Sequence, residues 1–368
     1  MNTLPTAKQV RQTLSAYAVS STAHGLTLFI IDLLLYLAAL AVVLFAPWLA
    51  VKLLAAIVAG ANIANLVTLG HDAAHNSLTR SRPLNKLIAF IAFTPALFNY
   101  RLWLYDHHQL HHHSTNENQP GSFTPLSKPA FDALPRWKQR LQRLYRSRSL
   151  WTLGLYYIVE RWWQVNFVPR RDMPDSVQRS GWPHFAYLLV YCVGFIALLA
   201  AAPLYSDTSA LTAILLGFVV PFYVFQSLFS FTVYIQHTHP RAAWFNARPD
   251  RNTQGRQDLL AIQLRFPKWF TLLTHSIFDH PAHHVHPAIP SYRLSEAQAK
   301  LNAMVGPAVI SERFSLAWFA QVRQRCKLYD YEQHRWLDFD GKPSSRVTLA
   351  TAAEADRQVW RTRTVSTN

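Results

Sequence analysis

The sequence predicts an all-α integral membrane protein, with four transmembrane helices in two hairpins and a histidine-rich helical cap on the cytoplasmic side. Three observations predict it: paired apolar runs of bilayer length, Lys and Arg concentrated outside those pairs, and histidine clusters that lie among the basic segments. The 368 residues are 50% hydrophobic and 13% aromatic, yet carry a net charge of +16. A membrane protein with basic faces combines these properties naturally, whereas a soluble chain rarely does. Basic chains also bind nucleic acid, but no zinc-finger, homeodomain or RNP pattern occurs here. Cys192 and Cys326 are the only cysteines; they form no disulfide framework and no CxxC pair, so nitrogen rather than sulfur must carry any metal.

The first apolar run, residues 26–46, reaches about 31 Å as a helix and matches a hydrocarbon core of about 30 Å. The second, 48–69, follows after Pro47, a link short enough to require a tight helical hairpin. Residues 183–205 and 210–236 form the second pair, joined by the polar turn Ser206-Asp207-Thr208-Ser209. Between the pairs, Leu87 to Phe98 is too short to span and contains Pro95; it reads as a re-entrant or interfacial segment. The N-terminus shows no signal-peptide cleavage pattern, so the first span is expected to remain as an anchor. Asp32, inside that span, is costly in lipid and should face a partner helix.

Charge orients the hairpins. Of 36 Lys and Arg, two precede the first span, fifteen lie between residues 70 and 182, and eighteen follow residue 240. The hairpin tips carry none, and Lys52 stands near the start of the second span. The positive-inside rule therefore places both termini and the central loop in the cytoplasm, as for a multi-pass protein of a bacterial inner membrane or its equivalent. Residues 1–310 read as one membrane domain, and residues 311–368 as a polar cytoplasmic tail, partly disordered at its end.

Fourteen of the 17 histidines fall in two windows, 71–113 and 237–286. They cluster as HDAAH (71–75), HHQLHHH (107–113), QHTHP (236–240) and HPAHH (280–284). Imidazole is the commonest protein ligand for redox-capable transition metals. His71 and His75 stand at i and i+4, on one helical face. His108, His111 and His112 make an HxxHH pattern, and His280, His283 and His284 repeat it. Eight imidazoles exceed the needs of one ion, so two metals are implied. Asp72, Asp106 and Asp279 flank the clusters and are candidates to orient an imidazole through its second nitrogen, or simple capping residues. His24, His184 and His334 lie apart and need no function.

The order HDAAH, HxxHH, HxxHH, with spans in two pairs, resembles the membrane-bound fatty acid desaturases and the related di-iron hydroxylases. GHDAAHNSLTRSRPLN, WLYDHHQLHHHSTN, TVYIQHTHP and HPAHHVHPAIPSYRL each resemble stretches of the omega-6 and omega-3 acyl desaturases, over roughly residues 50 to 300. The resemblance implies two irons, O₂ as co-substrate, and eight box ligands: His71, His75, His108, His111, His112, His280, His283 and His284. His237 occupies the place of a ninth. The second box could also be read from His107, but the spacing to Thr115-Asn116 favours His108; His107 and His113 are then neighbours. Asn116, His239, His275 and His286 join Asp72, Asp106 and Asp279 as candidates to support the ligands.

A pair of irons can generate from O₂ an oxidant strong enough for an unactivated methylene. Hydrogen abstraction followed by loss of the neighbouring hydrogen gives a cis double bond, and oxygen rebound gives an alcohol. The primary expectation is therefore an acyl desaturase, and the alternatives are a hydroxylase, acetylenase or carotenoid ketolase with the same boxes. A metal transporter would place its ligands at mid-bilayer rather than beyond the spans. The substrate would be an acyl lipid, acyl-CoA or acyl carrier protein. No haem, flavin or ferredoxin-like segment is visible, so electrons should come from a separate donor such as a ferredoxin, cytochrome b5 or a similar reductase chain. Residues 136–171 interleave Arg and Lys with Trp and Tyr; they suit an interfacial helix at membrane lipids or a solvated basic face. Residues 219–234 are rich in Phe and Tyr and suit either an acyl channel or lipid-facing packing.

Overall fold

The computed structural model describes residues 4–348 except 120, 122, 148, 150 and 247–256. The protein is mostly helical, and four helices are long and apolar enough to cross a membrane: Thr22–Phe45, Leu49–Ala74, Asp175–Ala200 and Ala210–His237. Contacts divide the chain into two compact units: residues 20–108 with 153–231, and residues 1–19 with 109–152 and 232–368.

The first unit holds the membrane helices. Helix α1, Ala7–Leu14, belongs to the other unit; α2, Thr22–Phe45, starts where the Ser21 hydroxyl accepts from His24 N–H. Ala46, Pro47 and Trp48 separate it from α3, Leu49–Ala74, against which it packs. α3 is five residues longer than the apolar run at its C-terminal side and so includes His71. The twelve-residue α4, Arg82–Phe93, is capped by Ser81 and carries Pro83 in its first turn, where the missing N–H costs nothing. At about 18 Å it is too short to span, as expected. α5, Tyr100–Leu104, runs on as a π-helix, Tyr105–His111. α8, Trp151–Tyr156, continues as a second π-helix, Tyr157–Phe167. α9, Asp175–Ala200, begins eight residues before the apolar run and takes Pro183 into its interior. α10, Ala210–Ile214, passes through a π turn into α11, Val220–His237.

Close packing has a sequence cause. A Cβ at Gly60 of α3 would lie 2.6 Å from the Pro221 carbonyl oxygen and 2.6 Å from Val224 Cβ, so only glycine lets α3 and α11 approach this far. The outward faces are apolar: Val190 is 73% exposed and Leu211 67%. Such continuous apolar surface requires lipid around it. Lys52, near the start of α3, is buried and donates to Thr208 Oγ1, which in turn donates to the Leu44 carbonyl. Asp32 is buried too.

The second unit departs from an all-α reading. Strand β1, Ile262–Arg265, pairs in parallel with β2, Ile310–Arg313, in the register Ile262↔Ile310. Strands β3, Leu328–Asp330, and β4, Arg335–Leu337, form an antiparallel hairpin with Leu328 opposite Leu337. These strands are three or four residues long, too short to leave a period-two signature. Helices α6, Lys128–Asp132, α7, Arg136–Tyr145, α12, Lys268–Leu273, α13, His280–Val285, α14, Ser291–Val305, and α15, Leu316–Arg325, complete the unit. Val10 and Leu14 of α1 enter one core with Ala282, Val285, Leu294, Leu301 and Val305.

Residues 311–348 therefore are not a free tail. Arg323 is fully buried, its guanidinium donating to the Tyr145 and Ser147 carbonyls and to Thr152 Oγ1. Burial pulls its pKa down to about 10. Polar composition concealed this because the buried apolar side chains, among them Phe319, Val322, Leu328, Trp336 and Leu337, are scattered among polar residues. The expected disorder at residues 349–368 lies outside the described residues. The basic-aromatic stretch 136–171 is not one helix but α7 and then α8 with its π extension; α7 exposes Trp137, Arg140 and Leu144.

Candidate metal centre

Three distant parts of the chain meet in the second unit. His111 ends the π-helix, His237 ends α11, and His280 and His284 sit one turn apart on α13. One nitrogen from each lies within 4.8 Å of the others. His280 Nε2 is 3.1 Å from His237 Nε2 and 3.0 Å from His284 Nε2. The His111 ring centroid is 4.7 Å from that of His237 and 4.9 Å from that of His284. Nearby, His112 Nε2 lies 3.1 Å from His283 Nε2.

Hydrogen bonds fix which nitrogens carry protons. Asn116 Nδ2 donates to the Ala243 carbonyl (2.9 Å), which orients the amide and leaves its oxygen facing His237 Nδ1 at 2.9 Å. An amide oxygen only accepts, so His237 Nδ1 is protonated and its Nε2 offers a lone pair in the neutral ring. Thr115 works alike. Its hydroxyl donates to the His111 carbonyl (3.1 Å), so its oxygen receives the His284 Nδ1 proton at 3.3 Å. His284 Nε2 is then a lone pair as well. A proton on His280 Nε2 would serve one of its two contacts, whereas a cation serves all. Two donors about 2.1 Å from an ion, a normal metal–imidazole distance, are about 3.0 Å apart at right angles. The buried, all-nitrogen donor set fits a divalent transition metal.

The first unit carries a second group. His71 and His75 close α3, and one nitrogen each of His71, His75 and His107 lies within 4.8 Å of the others. His71 Nδ1 donates to Asp72 Oδ1 (3.1 Å). The His107 ring is 4.6 Å from His71 and stacks on Trp103 at 4.4 Å, while the His108 ring is 4.3 Å from that of His75. The α-helical face expected for His108, His111 and His112 does not form, because Tyr105–His111 winds with i→i+5 bonds. With that wider turn both His107 and His108 stand beside the first-box rings, His107 4.6 Å from His71 and His108 4.3 Å from His75. His113 belongs to neither group.

The flanking candidates divide. Asp72 and Asn116 touch box imidazoles, and Asp106 is buried. Asp279 instead accepts from Gln263 Nε2 (2.8 Å) and Ser295 Oγ (2.6 Å), and burial raises its pKa. His239 accepts the Arg241 N–H at Nδ1 (3.0 Å) and faces Glu312 Oε1 with Nε2 (3.3 Å). Burial lowers the His239 pKa, and the hydrogen bond from His239 lowers that of Glu312. His275, at φ 49°, and His286 lie outside both groups, and burial lowers the His286 pKa. Sequence reading gave no role to Thr115 or Gln298, although Thr115 was visible in the motif beside Asn116. Gln298 accepts the Ala282 N–H (2.9 Å) and so holds α13 from sixteen residues away, where no local signal marks it.

Residues 46–315 match the family model described as fatty acid desaturase. The chain is 27% identical over 293 residues to an sn-1 oleoyl-lipid 12-desaturase of Synechocystis sp., covering 79% of each chain. It is 24% identical to a protein of the same description from Picosynechococcus sp., covering 76% of this chain and 77% of that one. It is 22% identical to an sn-1 acyl-lipid omega-3 desaturase (ferredoxin) of Synechocystis sp., covering 66% of this chain and 65% of that one.

Proposed function

The chain belongs to the fatty acid desaturase family and is a membrane oxidoreductase, and we propose that it introduces a cis double bond into a lipid-bound acyl chain at a pair of imidazole-held irons. The reading is carried by the buried Nε2 atoms of His237, His280 and His284, which converge with two of their tautomers set by Asn116 and Thr115. His111, His237, His280 and His284 are assigned to one iron. His71, His75 and either His107 or His108 supply the other, and His112 and His283 complete the ligand set.

Iron held there would supply the oxidant from O₂; the net change removes one hydrogen from each of two adjacent methylenes and, with two electrons from the donor and two protons from solvent, reduces O₂ to two waters. The chain's own residues do the rest. Asn116 and Thr115 hold the Nδ1 protons, so the opposite nitrogens stay available to metal. Burial of His237, His280, His283 and His284 keeps bulk water from the reacting centre. In the membrane unit, Phe98, Phe225, Phe229 and Tyr157 pack ring to ring, with centroids 5.0–5.8 Å apart; they are proposed as the apolar wall along an acyl chain. The names of the relatives support an acyl lipid as substrate and a ferredoxin-like donor. A chain of charge +16 attracts such an acidic protein.

Expression in a host without polyunsaturated lipids tests the function. Mass spectrometry of derivatised fatty acids should show a new doubly unsaturated species that requires O₂ and a supplied reductase chain. Product formed anaerobically, or no product with iron loaded, would overturn the reading. We also assign both hairpin tips to the side opposite the histidines, and the termini to the cytoplasm, from the distribution of Lys and Arg. A reporter fused after Asn368 should be active only in its cytoplasmic form, and a periplasmic signal refutes the orientation.

A further inference from the structure

We propose that the β3–β4 hairpin is a clasp that sets the position of His237 at the metal centre, with Trp336 and Tyr329 as positioning residues. The inference rests on His237 binding iron, and it concerns residues beyond the part of the chain that the family model matches.

The chain leaving α11 does not enter another helix. From Thr238 to Asn246 it forms only an isolated bridge, so its backbone groups need partners from elsewhere. The hairpin provides them. Trp336, fully buried, donates its indole N–H to the His239 carbonyl (2.8 Å). The Tyr329 hydroxyl, also buried, accepts the Trp244 N–H (3.1 Å) and donates to Thr348 Oγ1 (2.8 Å). His334 Nδ1 donates to the Trp244 carbonyl (3.0 Å).

The segment so held is the one that holds Asn116. Ala243 O accepts from Asn116 Nδ2 (2.9 Å), Phe245 N–H donates to Asn116 O (2.8 Å), and Asn118 N–H donates to Phe245 O (2.7 Å). Asn116 sits at φ 57°, a backbone conformation that such ties must maintain. The hairpin also grips the chain beyond Asn116: Tyr329 N–H donates to Leu126 O (2.9 Å), and the Tyr331 hydroxyl to Pro125 O (2.7 Å). Both segments beside the His237 ring, one following the histidine and one bearing its amide partner, are thus fastened to one small element. A two-stranded hairpin of this size has little stability of its own. Its buried polar groups end on the backbone of the segments it clasps, and that directs its effect to the histidine.

The test uses full-length protein in detergent, loaded with Co²⁺, whose visible d–d bands report the ligand geometry. Trp336→Phe removes one N–H and keeps an aromatic ring; Tyr329→Phe removes one oxygen. Each should shift the bands and weaken Co²⁺ retention by roughly 3–10-fold, somewhat less than loss of a partner directly on a ligand. If Trp336→Phe does not accumulate, Tyr329→Phe carries the test. Wild-type bands and affinity in the folded fraction, even with a lower melting temperature, overturn the clasp. His237→Ala separates the two readings. Bands lost there but unchanged in the hairpin variants refute the clasp alone, and bands unchanged in His237→Ala refute both.

Discussion

Replacing His280 with alanine is expected to end double-bond formation and to release iron, while leaving the four membrane helices inserted. His280 is the hub of its group, with Nε2 facing the Nε2 atoms of both His237 and His284 at 3.1 and 3.0 Å. Its removal subtracts a donor and leaves two lone pairs facing each other across a buried gap. Partners that merely orient a metal ligand are worth about 10–100-fold, so loss of a ligand should bring product below about 1% of wild type. His111→Ala and His283→Ala should behave likewise. α13 lies outside the candidate spans, so membrane insertion reports independently of the metal. His24→Ala, at the start of α2 and in neither group, is the control. Iron content and fatty-acid analysis on the same preparations decide the matter: near-wild-type turnover in His280→Ala removes it from the ligand set.

A large loss of stability is expected on substitution of Gly60. Its added Cβ would press on the Pro221 carbonyl oxygen, a backbone atom that cannot rotate aside. Overpacking of this kind costs about 1–3 kcal/mol, occasionally more. Gly60→Ala should therefore lower the melting temperature in detergent, and Gly60→Val should lower it further or abolish accumulation. Gly194, on α9, has no atom within 4 Å of the corresponding position, and Gly194→Ala should match wild type or exceed it, since alanine favours helix. Equal behaviour of the two alanine variants would contradict the packing assigned to α3 and α11.

Much of this was legible in the sequence because membranes and metals both impose simple rules. Four apolar runs of bilayer length became four long helices, and only their ends shifted, since the helices at Ala74 and Asp175 continue past the apolar residues that announce them. The rings of His71 and His75, and of His280 and His284, lie 4.8 and 4.5 Å apart, as an i, i+4 spacing implies. Around the second box the chain winds as a π-helix, which a pattern read at the α period does not reveal. The small sheets were hidden for a related reason, with strands too short to repeat. What escaped at the site, Gln298 on Ala282 or Trp336 on His239, joins residues sixteen and ninety-seven positions apart. No local rule encodes such a pairing.

The helix from Ala210 to His237 runs 28 residues, or about 42 Å, against hydrocarbon about 30 Å deep. With the Ser206–Ser209 turn at one boundary, one stiff rod stands well clear of the other and ends on an imidazole. A helix longer than the apolar layer can cross it and still carry its last residues past it, so one continuous element accounts for both the fourth span and the position of His237 at its end.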